Sequence, residues 1–302
     1  MYGVDADVRT TAFSFTMDKI QRITSPANPL IRLVSAVVHT QRRAVKEGLF
    51  TVEGLRLAEM AAASDWRIRH TLVTERALAG ARLHALVESL LARDIPTAFV
   101  TEEIFANLAE TDSPQGILLL MERRKKQGVA DLSQSGYEDE PPLYIALDRV
   151  QDPGNVGTIL RTADAVGVTG VILLRGSADV YSGKVVRATM GSLFYVPFAD
   201  HVHSSALIDF AQRTGLCLRA AACEAGAETH FAADFRRGSI IIFGNEANGV
   251  SEELLSAAQH IYIPMRGHAE SLNVSTAATA VLYEALRQRR TPQKRSCCTK
   301  SF

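Results

Sequence analysis

Cysteine is scarce in this chain, and the spacing of the few cysteines excludes the usual structural roles of the residue. The 302 residues include four cysteines, of which Cys297 and Cys298 are adjacent, and none belongs to a C-x-x-C pair. Zinc sites and disulfide frameworks need ligands or partners at defined spacings. We therefore expect neither a structural metal nor a disulfide bond.

Long apolar runs and an export signal are also lacking. Apolar runs such as residues 240–243 fall far short of the roughly 20 residues that cross a bilayer. The start of the chain carries Asp5, Asp7 and Arg9 in place of the basic start and apolar centre of a secretory signal. We expect a protein without membrane association that works in the cytoplasm.

Net charge is absent as well, but the basic residues are unevenly distributed. The 33 lysines and arginines are balanced by 33 acidic residues. Residues 19–50 nevertheless hold six basic residues against one acidic residue, and six basic residues with no acid follow Glu284. Both segments are suited to contact the phosphates of a nucleic acid, and solvated surface charge is the alternative interpretation.

The composition along the chain predicts two domains. Residues 125–140 are poor in apolar side chains and contain a cluster of acids, which is typical of a linker. They separate residues 17–124 from residues 141–290, and both segments have the size of an ordinary domain. We expect residues 1–16 to form a flexible end and residues 291–302 a basic tail.

Both predicted domains alternate short apolar runs with stretches of helical spacing, which indicates the α/β class. In the second domain the runs, such as residues 143–147 and 239–243, are apolar throughout. Such strands form a parallel sheet that helices cover on both faces. Ligands of these sheets bind at the carboxyl ends of the strands, so the loops at those ends are candidates for a site.

The first candidate loop follows residues 143–147. Pro153 and Gly154 predict a turn, Asn155 is suited to cap the next helix, and Arg161 lies about a turn and a half inside that helix. Side chains on a helix lean toward its amino terminus. We therefore expect Arg161 to reach the edge of the sheet, and an arginine on a solvated helix face is the alternative.

Two further loops follow later apolar runs. The second contains Gly244, Asn245 and Glu246, and a carboxylate at the mouth of a sheet must be hydrated or satisfied by a donor. The third contains Ser271 and Asn273, of which Asn273 is suited to cap the last helix. Each of these residues is an ordinary loop residue when it is considered separately.

Taken together, the three loops resemble the motifs of the SpoU/TrmH family of 2′-O-ribose RNA methyltransferases, within the SPOUT superfamily. The matching strings are Asn155-x-Gly157-x-x-x-Arg161, Gly244-Asn245-Glu246-x-x-Gly249-Val250, Ile263-Pro264-Met265 and Ser271-Leu272-Asn273-Val274-Ser275. Residues 182–192 resemble the family's segment between its first two motifs. In the first domain, Phe50-Thr-Val-Glu53-Gly54 and Thr111-Asp-Ser113-Pro114-Gln115-Gly116 are similar to the substrate-binding domain that is often joined to this methyltransferase.

This resemblance implies a fold, a cofactor and an assembly. The expected fold is a parallel-sheet SPOUT methyltransferase domain with a carboxyl-terminal trefoil knot, preceded by a small α/β RNA-binding domain like certain ribosomal proteins. General topology rules alone would not predict a knot. The implied cofactor is S-adenosylmethionine, and the cofactor-binding residues are Gly244, Asn245, Ile263 and Leu272. The implied assembly is a homodimer that closes its sites across the interface.

The resemblance also assigns Arg161, Asn155, Glu246, Ser271 and Asn273 as catalytic residues. A guanidinium has a pKa above about 12 and is a poor base near neutrality. We therefore expect Arg161 to stabilise phosphate and the transition state first, with proton acceptance as a second role. Asn155 and Glu246 would orient Arg161, or Glu246 would relay the proton. Ser271 and Asn273 would position the ribose and the cofactor.

Several alternatives are weighed against this interpretation. A dinucleotide-binding enzyme is disfavoured because the chain contains no G-x-G. Methylation of a base carbon through a thiol needs a cysteine in a strand-end loop, whereas Cys217 and Cys223 fall in or just beyond a predicted strand. The separate recognition domain favours ribosomal RNA over transfer RNA as the partner. A non-catalytic RNA-binding protein is the non-enzymatic alternative, and the intact set of catalytic candidates argues against it.

Overall fold

The computed structural model describes residues 20–125, 127–134, 140–224 and 226–290. These residues form two compact units, of which the first contains residues 20–125 together with Asp179–Tyr195 and the second contains the rest. The predicted second domain includes residues 179–195, so the observed division differs from the predicted one. The predicted flexible end and basic tail lie outside the described residues.

The described part of the first unit is built on a mixed five-stranded sheet. Its strands are β1 (Gln21–Ile23), β2 (Leu49–Glu53), β3 (Ile68–Thr74), β4 (Thr97–Val100) and β5 (Ile117–Glu122). They lie in the order β1-β4-β3-β5-β2, with β5 antiparallel to both of its neighbours. The helices are α1 (Pro29–His39), α2 (Gln41–Glu47), α3 (Leu55–Ala63), α4 (Glu75–Leu78), α5 (Ala81–Ala92), α6 (Glu102–Leu108) and, from residues 179–195, α8 (Gly183–Ala188).

Local sequence explains where α1 begins and which face it buries. The side chain of Asn28 accepts a hydrogen bond from the amide of Leu30 at 2.9 Å, which satisfies one of the free donors at the helix start. Ile31, Val34 and Val37 are buried, and their spacing of three residues places them on one face. This face packs into the apolar cluster of the first unit.

Residues 179–195 belong to the first unit because their aromatic side chains complete its core. The ring of Tyr181 lies 5.1 Å from that of Phe50, and the ring of Phe194 lies 5.5 Å from that of Trp66. The indole Nε1 of Trp66 also donates a hydrogen bond to the carbonyl of Phe194 at 3.3 Å. The segment thus contributes to the core of a unit that precedes it by many residues in the chain.

An ion pair joins the same segment to the end of β5. Arg123 lies 3.0 Å from Asp179, and the side chains are only 12% and 5% exposed. The Arg123 guanidinium also lies over the Tyr181 ring, 4.7 Å from its centroid. Buried pairs of this kind are sensitive to the loss of either partner, since the remaining charge keeps its desolvation cost.

We predict that Phe194→Ala lowers the stability of the first unit by about 3–5 kcal/mol, the usual cost of removing a buried aromatic ring. Trp66 is the single tryptophan of the chain, so its fluorescence during urea unfolding reports on this unit. The matched control is Tyr195→Ala, because Tyr195 follows directly and is 50% exposed. An unchanged Trp66 transition in Phe194→Ala would show that the segment is not part of this core.

The second unit forms one parallel sheet from the seven strands of its described residues. These are β6 (Leu143–Asp148), β7 (Gly170–Leu174), β8 (Phe198–Val202), β9 (Cys217–Ala221), β10 (Glu228–Thr229), β11 (Ser239–Gly244) and β12 (Gln259–Tyr262). They lie in the order β10-β12-β9-β11-β6-β7-β8, and every neighbouring pair is parallel. The helices are α7 (Pro153–Val166), α9 (Ser204–Thr214), α10 (Glu252–Ala257) and α11 (Val274–Arg290).

The predicted α/β class with a parallel sheet is confirmed. Strands β6, β7 and β11 are buried along their whole length, as expected for strands that are covered on both faces. The carboxyl ends of β9, β11, β12 and β6 therefore meet at one edge of the sheet. Among the described residues, no helix is long and apolar enough to cross a membrane.

The start of α7 differs from the prediction. Asp152 caps this helix, and its Oδ1 accepts a hydrogen bond from the amide of Asn155 at 2.9 Å. Pro153 occupies the first helical position, where proline is favoured because no amide is needed there, and this moves the cap to residue 152. Asn155, predicted to be the cap, is instead a buried residue of the first turn. Its side chain does not cap the helix and makes other contacts.

Candidate functional site

Glu246 joins the loop after β11 to the loop after β6. Its Oε1 accepts hydrogen bonds from Asn155 Nδ2 at 3.0 Å and from the Asp152 amide at 3.2 Å. Its Oε2 accepts a hydrogen bond from the amide of Gln151 at 3.3 Å. Both carboxylate oxygens are therefore used to hold two loops together.

Asn155 extends this connection to the third loop. Its Oδ1 accepts a hydrogen bond from Asn273 Nδ2 at 3.0 Å. Asn273 in turn caps α11, because its Oδ1 accepts hydrogen bonds from the Ser275 amide at 2.9 Å and the Ser275 hydroxyl at 2.6 Å. A continuous chain of hydrogen bonds thus runs from Glu246 through Asn155 to Asn273 and connects all three candidate loops.

The charge state of Glu246 follows from these contacts. Burial acts to raise its pKa, but hydrogen bonds from the Asn155 side chain and from the amides of Glu246, Asp152 and Gln151 outweigh burial and lower the pKa. Glu246 is consequently ionised at neutral pH. It acts as a hydrogen-bond acceptor that orders the loops.

A second group of contacts fixes the ends of β6 and β11. The buried Asp148 accepts hydrogen bonds from the Ser251 amide at 2.6 Å and from Arg149 Nε at 3.1 Å. The side chain of Asn245 donates a hydrogen bond to the Arg149 carbonyl at 2.9 Å. The backbone around the site is therefore held by side chains that come from the strand ends themselves.

A cavity of about 420 Å³ lies beside this network, between the ends of β9, β11 and β12 and the start of α11. A volume of this size is typical of small-molecule sites. All four residues that were predicted to bind a cofactor line the cavity, namely Gly244, Asn245, Ile263 and Leu272. Glu246, Ser271 and Asn273 of the predicted catalytic set line it as well.

Gly244 allows one wall of this cavity to form. A Cβ atom at this position would lie 2.1 Å from the carbonyl carbon of Gly249 and 2.2 Å from the nitrogen of Val250. Backbone atoms cannot yield as a flexible side chain can, so only glycine fits between β11 and the returning loop. That return is closed by paired hydrogen bonds of 2.9 Å between the backbones of Asn245 and Gly249.

Arg161 is the one predicted catalytic residue that the structure does not bring to this site. It follows Asn155 by six residues on α7, which places it about 9 Å further along the axis and about 120° around the helix. Arg161 is exposed and does not line the cavity, and no hydrogen bond or ion pair to its side chain occurs within the described part of the chain. Within one chain, Asn155 and Glu246 bind each other and do not orient Arg161.

Cys223 corrects another expectation. The sequence predicts no cysteine suitably placed in a strand-end loop, yet Cys223 is exposed two residues after β9 and lines the cavity. Tyr262 and Met265 are further lining residues that the motifs did not indicate. The sequence predicted the strand before Cys223, which indicates that this cysteine follows a strand end. It did not predict that this strand, β9, lies between β11 and β12, which is what brings Cys223 to the cavity.

Comparison with known proteins places these observations in a family. Residues 142–283 match the model of the SpoU rRNA methylase family, and residues 28–119 match the MRM3-like substrate binding domain. An uncharacterized tRNA/rRNA methyltransferase of Synechocystis is 35% identical over 89% of this chain and 94% of its own length. The chain belongs to the SpoU rRNA methylase family. The resemblance found in the sequence, including the substrate-binding domain, is therefore confirmed.

Two other relatives carry more specific names. The 23S rRNA (guanosine(2553)-2′-O)-methyltransferase RlmP of Bacillus subtilis is 30% identical over 82% of this chain and 92% of its own. The 23S rRNA (uridine(2479)-2′-O)-methyltransferase of Streptomyces viridochromogenes is 30% identical over 89% of this chain and 93% of its own.

Solved structures of methyltransferases agree with the fold of both units. The AdoMet-bound rRNA methyltransferase from Sinorhizobium meliloti superposes with a TM-score of 0.79 at 30% identity, covering 90% of this chain and 99% of that one. The SpoU methyltransferase AviRb from Streptomyces viridochromogenes, in complex with AdoMet, gives 0.76 at 27% identity, covering 87% and 99%. S-adenosylmethionine is therefore the cofactor of this SpoU protein.

We predict that Gly244→Ala weakens binding of S-adenosylmethionine about tenfold or more, because the added Cβ displaces the loop that forms the cavity wall. Isothermal titration calorimetry of the purified protein measures this effect. Gly267→Ala is the matched control, since a Cβ at Gly267 meets no atom within 4 Å. Equal affinities of the two variants would contradict the assigned role of Gly244.

The lowered pKa of Glu246 predicts a pH-dependent stability. A carboxylate whose pKa is lower in the folded state stabilises that state above its unfolded pKa and loses this effect as the pH falls. Glu246→Gln is therefore expected to have a lower Tm than the wild type at pH 7, with the difference narrowing as the pH drops below the ordinary value of 4.5. Glu253→Gln on α10 controls for the change in net charge. A Tm difference that is constant with pH would refute the prediction.

Proposed function

We propose that this SpoU-family protein transfers the methyl group of S-adenosylmethionine to the 2′-hydroxyl of a ribose in ribosomal RNA. The observation that carries the proposal is the hydrogen-bonded chain Glu246–Asn155–Asn273 at the rim of the cavity. Family membership supports RNA methylation as the reaction, and the convergence of the three loops supports this edge of the sheet as the place where it occurs.

The residues around the cavity fit S-adenosylmethionine. Phe243, Ile261 and Val281 are apolar lining residues that suit an adenine ring, while Ser271 and Asn273 add polar groups to the lining. Gly244 lines the cavity and has only backbone atoms, so a backbone group faces the cofactor at this position. When bound, the cofactor supplies an electrophilic methyl group, and the chain's own residues position the ribose against it.

Two observations support the first of the two roles considered for Glu246, the orientation of its neighbours. A group that relays a proton from a weakly acidic hydroxyl works best when its pKa is raised toward the operating pH. Both oxygens of Glu246 already accept hydrogen bonds, and its pKa is lowered. We therefore assign Glu246 as a positioning residue that holds Asn155, and through it Asn273, in place for the substrate.

The position of Arg161 supports a homodimer in which each subunit completes the other's site. Helices α7 and α11 pack together, with the Thr162 and Thr279 hydroxyls 3.2 Å apart. The exposed surface of this helix pair includes Arg161 of α7 and Tyr283 of α11, a large side chain that is 50% exposed. A two-fold axis through this face would bring Arg161 of the partner subunit toward the substrate, where its guanidinium stabilises phosphate and the developing charge.

The same packing supports the proposed trefoil knot. Strand β12 lies away from β6 in the sheet, with β9 and β11 between them. The chain after β12 nevertheless returns so that α11 packs on α7, the helix that directly follows β6. A knot would fix this return, and the small residues Ala277 and Ala280 of α11 favour close packing.

Ribosomal RNA is the proposed substrate class in preference to transfer RNA. Two relatives that align with most of this chain are named for 23S rRNA, one acting on a guanosine and the other on a uridine. Because these relatives act on different nucleosides, the proposal concerns the ribose of 23S rRNA without a particular base.

A direct test uses tritiated S-adenosylmethionine with an unmodified 23S rRNA transcript, and a transfer RNA pool serves for comparison. Methylation of the 2′-hydroxyl blocks alkaline cleavage at that nucleotide. Label in alkali-resistant dinucleotides therefore shows that the methyl group is on the ribose. Label in mononucleotides would indicate a methylated base and overturn the proposal. Binding of the cofactor and of RNA without transfer would instead support the non-catalytic alternative.

We predict that mixing Arg161→Ala with Glu246→Gln restores activity that neither variant has alone. In a mixed dimer one site carries both substitutions and the other carries none, so random reassembly recovers about a quarter of the wild-type rate. The mixture is unfolded and refolded together before the assay. Full activity of Arg161→Ala alone, or no recovery in the mixture, would contradict a shared site.

A further inference from the structure

Each of three adjacent strands of the second unit is directly followed by an arginine or a histidine. Arg149 directly follows β6, Arg175 directly follows β7, and His203 directly follows β8. These strands are neighbours and parallel, so their carboxyl ends lie side by side. The motif comparison and the site described above assign no role in binding to any of these three residues.

The register of the sheet makes these residues level with one another. Leu147 pairs with Leu173, and two residues later the side chain of Arg149 passes beside Gly176, where an added Cβ would lie 3.1 Å from its Cγ, so Arg149 lies close to Arg175. Leu174 pairs with Val202, so one further step brings Arg175 beside His203. The backbone confirms the second step, because the amide of Arg175 donates a hydrogen bond to the Val202 carbonyl at 2.9 Å.

The same row continues into the cofactor cavity. Gly244 pairs with Asp148, so Asn245 lies beside Arg149 at the next step. The hydrogen bond from the Asn245 side chain to the Arg149 carbonyl agrees with this arrangement, and Asn245 lines the cavity. With strands about 4.8 Å apart, the row from Asn245 to His203 spans about 14 Å along the sheet edge.

This row is basic and accessible. Arg175 and His203 are exposed, and within the described ranges no carboxylate forms an ion pair with Arg175. Arg149 pairs with the buried Asp148 beneath it, and its own side chain is 38% exposed. The neighbouring carboxylate of Asp200 lies toward His201, at 3.9 Å. The positive charge that faces solvent along the row is therefore supplied by the guanidinium groups of Arg175 and, in part, of Arg149.

We propose that Arg149, Arg175 and His203, named here the edge row, bind the sugar-phosphate backbone of the RNA strand next to the target ribose. The inference rests on the proposed function, since it takes the substrate to be RNA whose reacting sugar lies at the cavity. Positive side chains spaced along a groove track a single-stranded backbone in a way that does not depend on sequence. The edge row gives the strand one direction in which to leave the site.

Arg175 is the best residue for a test, because Arg149 also holds the loops around Asp148 and Gly249. Arg175→Glu is expected to weaken binding of a 23S rRNA transcript about five- to tenfold at 0.15 M salt, and to raise the KM for RNA equally. Arg175→Ala is expected to reduce the slope of log affinity against log salt by about 0.7 to 1, the loss of one phosphate contact. The kcat at saturating RNA and the affinity for S-adenosylmethionine are expected to stay unchanged.

Arg213→Glu is the matched control. It makes the same charge change on an exposed arginine of the same unit, but at the end of α9, away from the carboxyl edge of the sheet. Equal weakening by Arg175→Glu and Arg213→Glu would show a general charge effect and overturn the inference, and so would no weakening by Arg175→Glu. Thermal melting of each variant ensures that a loss of binding is not a loss of folding.

RNA binding is measured in the absence of cofactor, so the two hypotheses fail separately. If the wild type binds the transcript but transfers no methyl group, the proposed function fails, and the contrast between Arg175→Glu and Arg213→Glu still decides the inference. If transfer occurs and the contrast is absent, the function stands and the edge row does not bind the substrate.

Discussion

The site depends on the two hydrogen bonds made by the side chain of Asn155. Its Nδ2 donates a hydrogen bond to the carboxylate of Glu246, and its Oδ1 accepts one from the side-chain Nδ2 of Asn273. One side chain therefore contacts one loop as a donor and another loop as an acceptor. An aspartate could not donate to Glu246, and an apolar residue would leave buried polar groups without partners. Glu246 is held ionised by its donors, so it can only accept hydrogen bonds. The hydrogen bonds that link the three loops therefore run in one direction, from Asn273 through Asn155 to Glu246.

The parallel sheet places this local network on an edge whose two halves differ in their side chains. Successive strands bring successive loop residues to one edge, at a spacing set by backbone hydrogen bonding. On one half of the edge, around Gly244 and Ile263, close backbone approach leaves a cavity for a small molecule. On the other half, the residues directly after β6, β7 and β8 are basic. A ribose at the boundary would meet the methyl donor on one side and a path for its flanking phosphates on the other.

The connection between β7 and β8 shows that the order of the chain and the division into units do not coincide. Tyr181 and Phe194 lie between two strands of the second unit in the chain, but their side chains complete the aromatic core of the first unit. Their burial, together with the ion pair of Arg123 and Asp179, makes the first unit dependent on residues far away in sequence. A fragment that ends at the predicted linker would lack these side chains, so the two units cannot be separated by a single cut without exposing apolar surface.

The sequence by itself determined the class of the fold, the candidate loops and the family, because each depends on local patterns. Apolar runs define buried strands, and Gly244, Glu246 and Asn273 stand directly beside them in recognisable strings. The tertiary structure decided what depends on distant contacts: that Asn155 links two loops while Asp152 caps the helix, and that Cys223 lines the cavity because β9 lies between β11 and β12. The direction of Arg161 likewise follows from the rotation of α7 relative to the site. Periodicity tells which face of an element is buried, but only the packed sheet tells what that face meets.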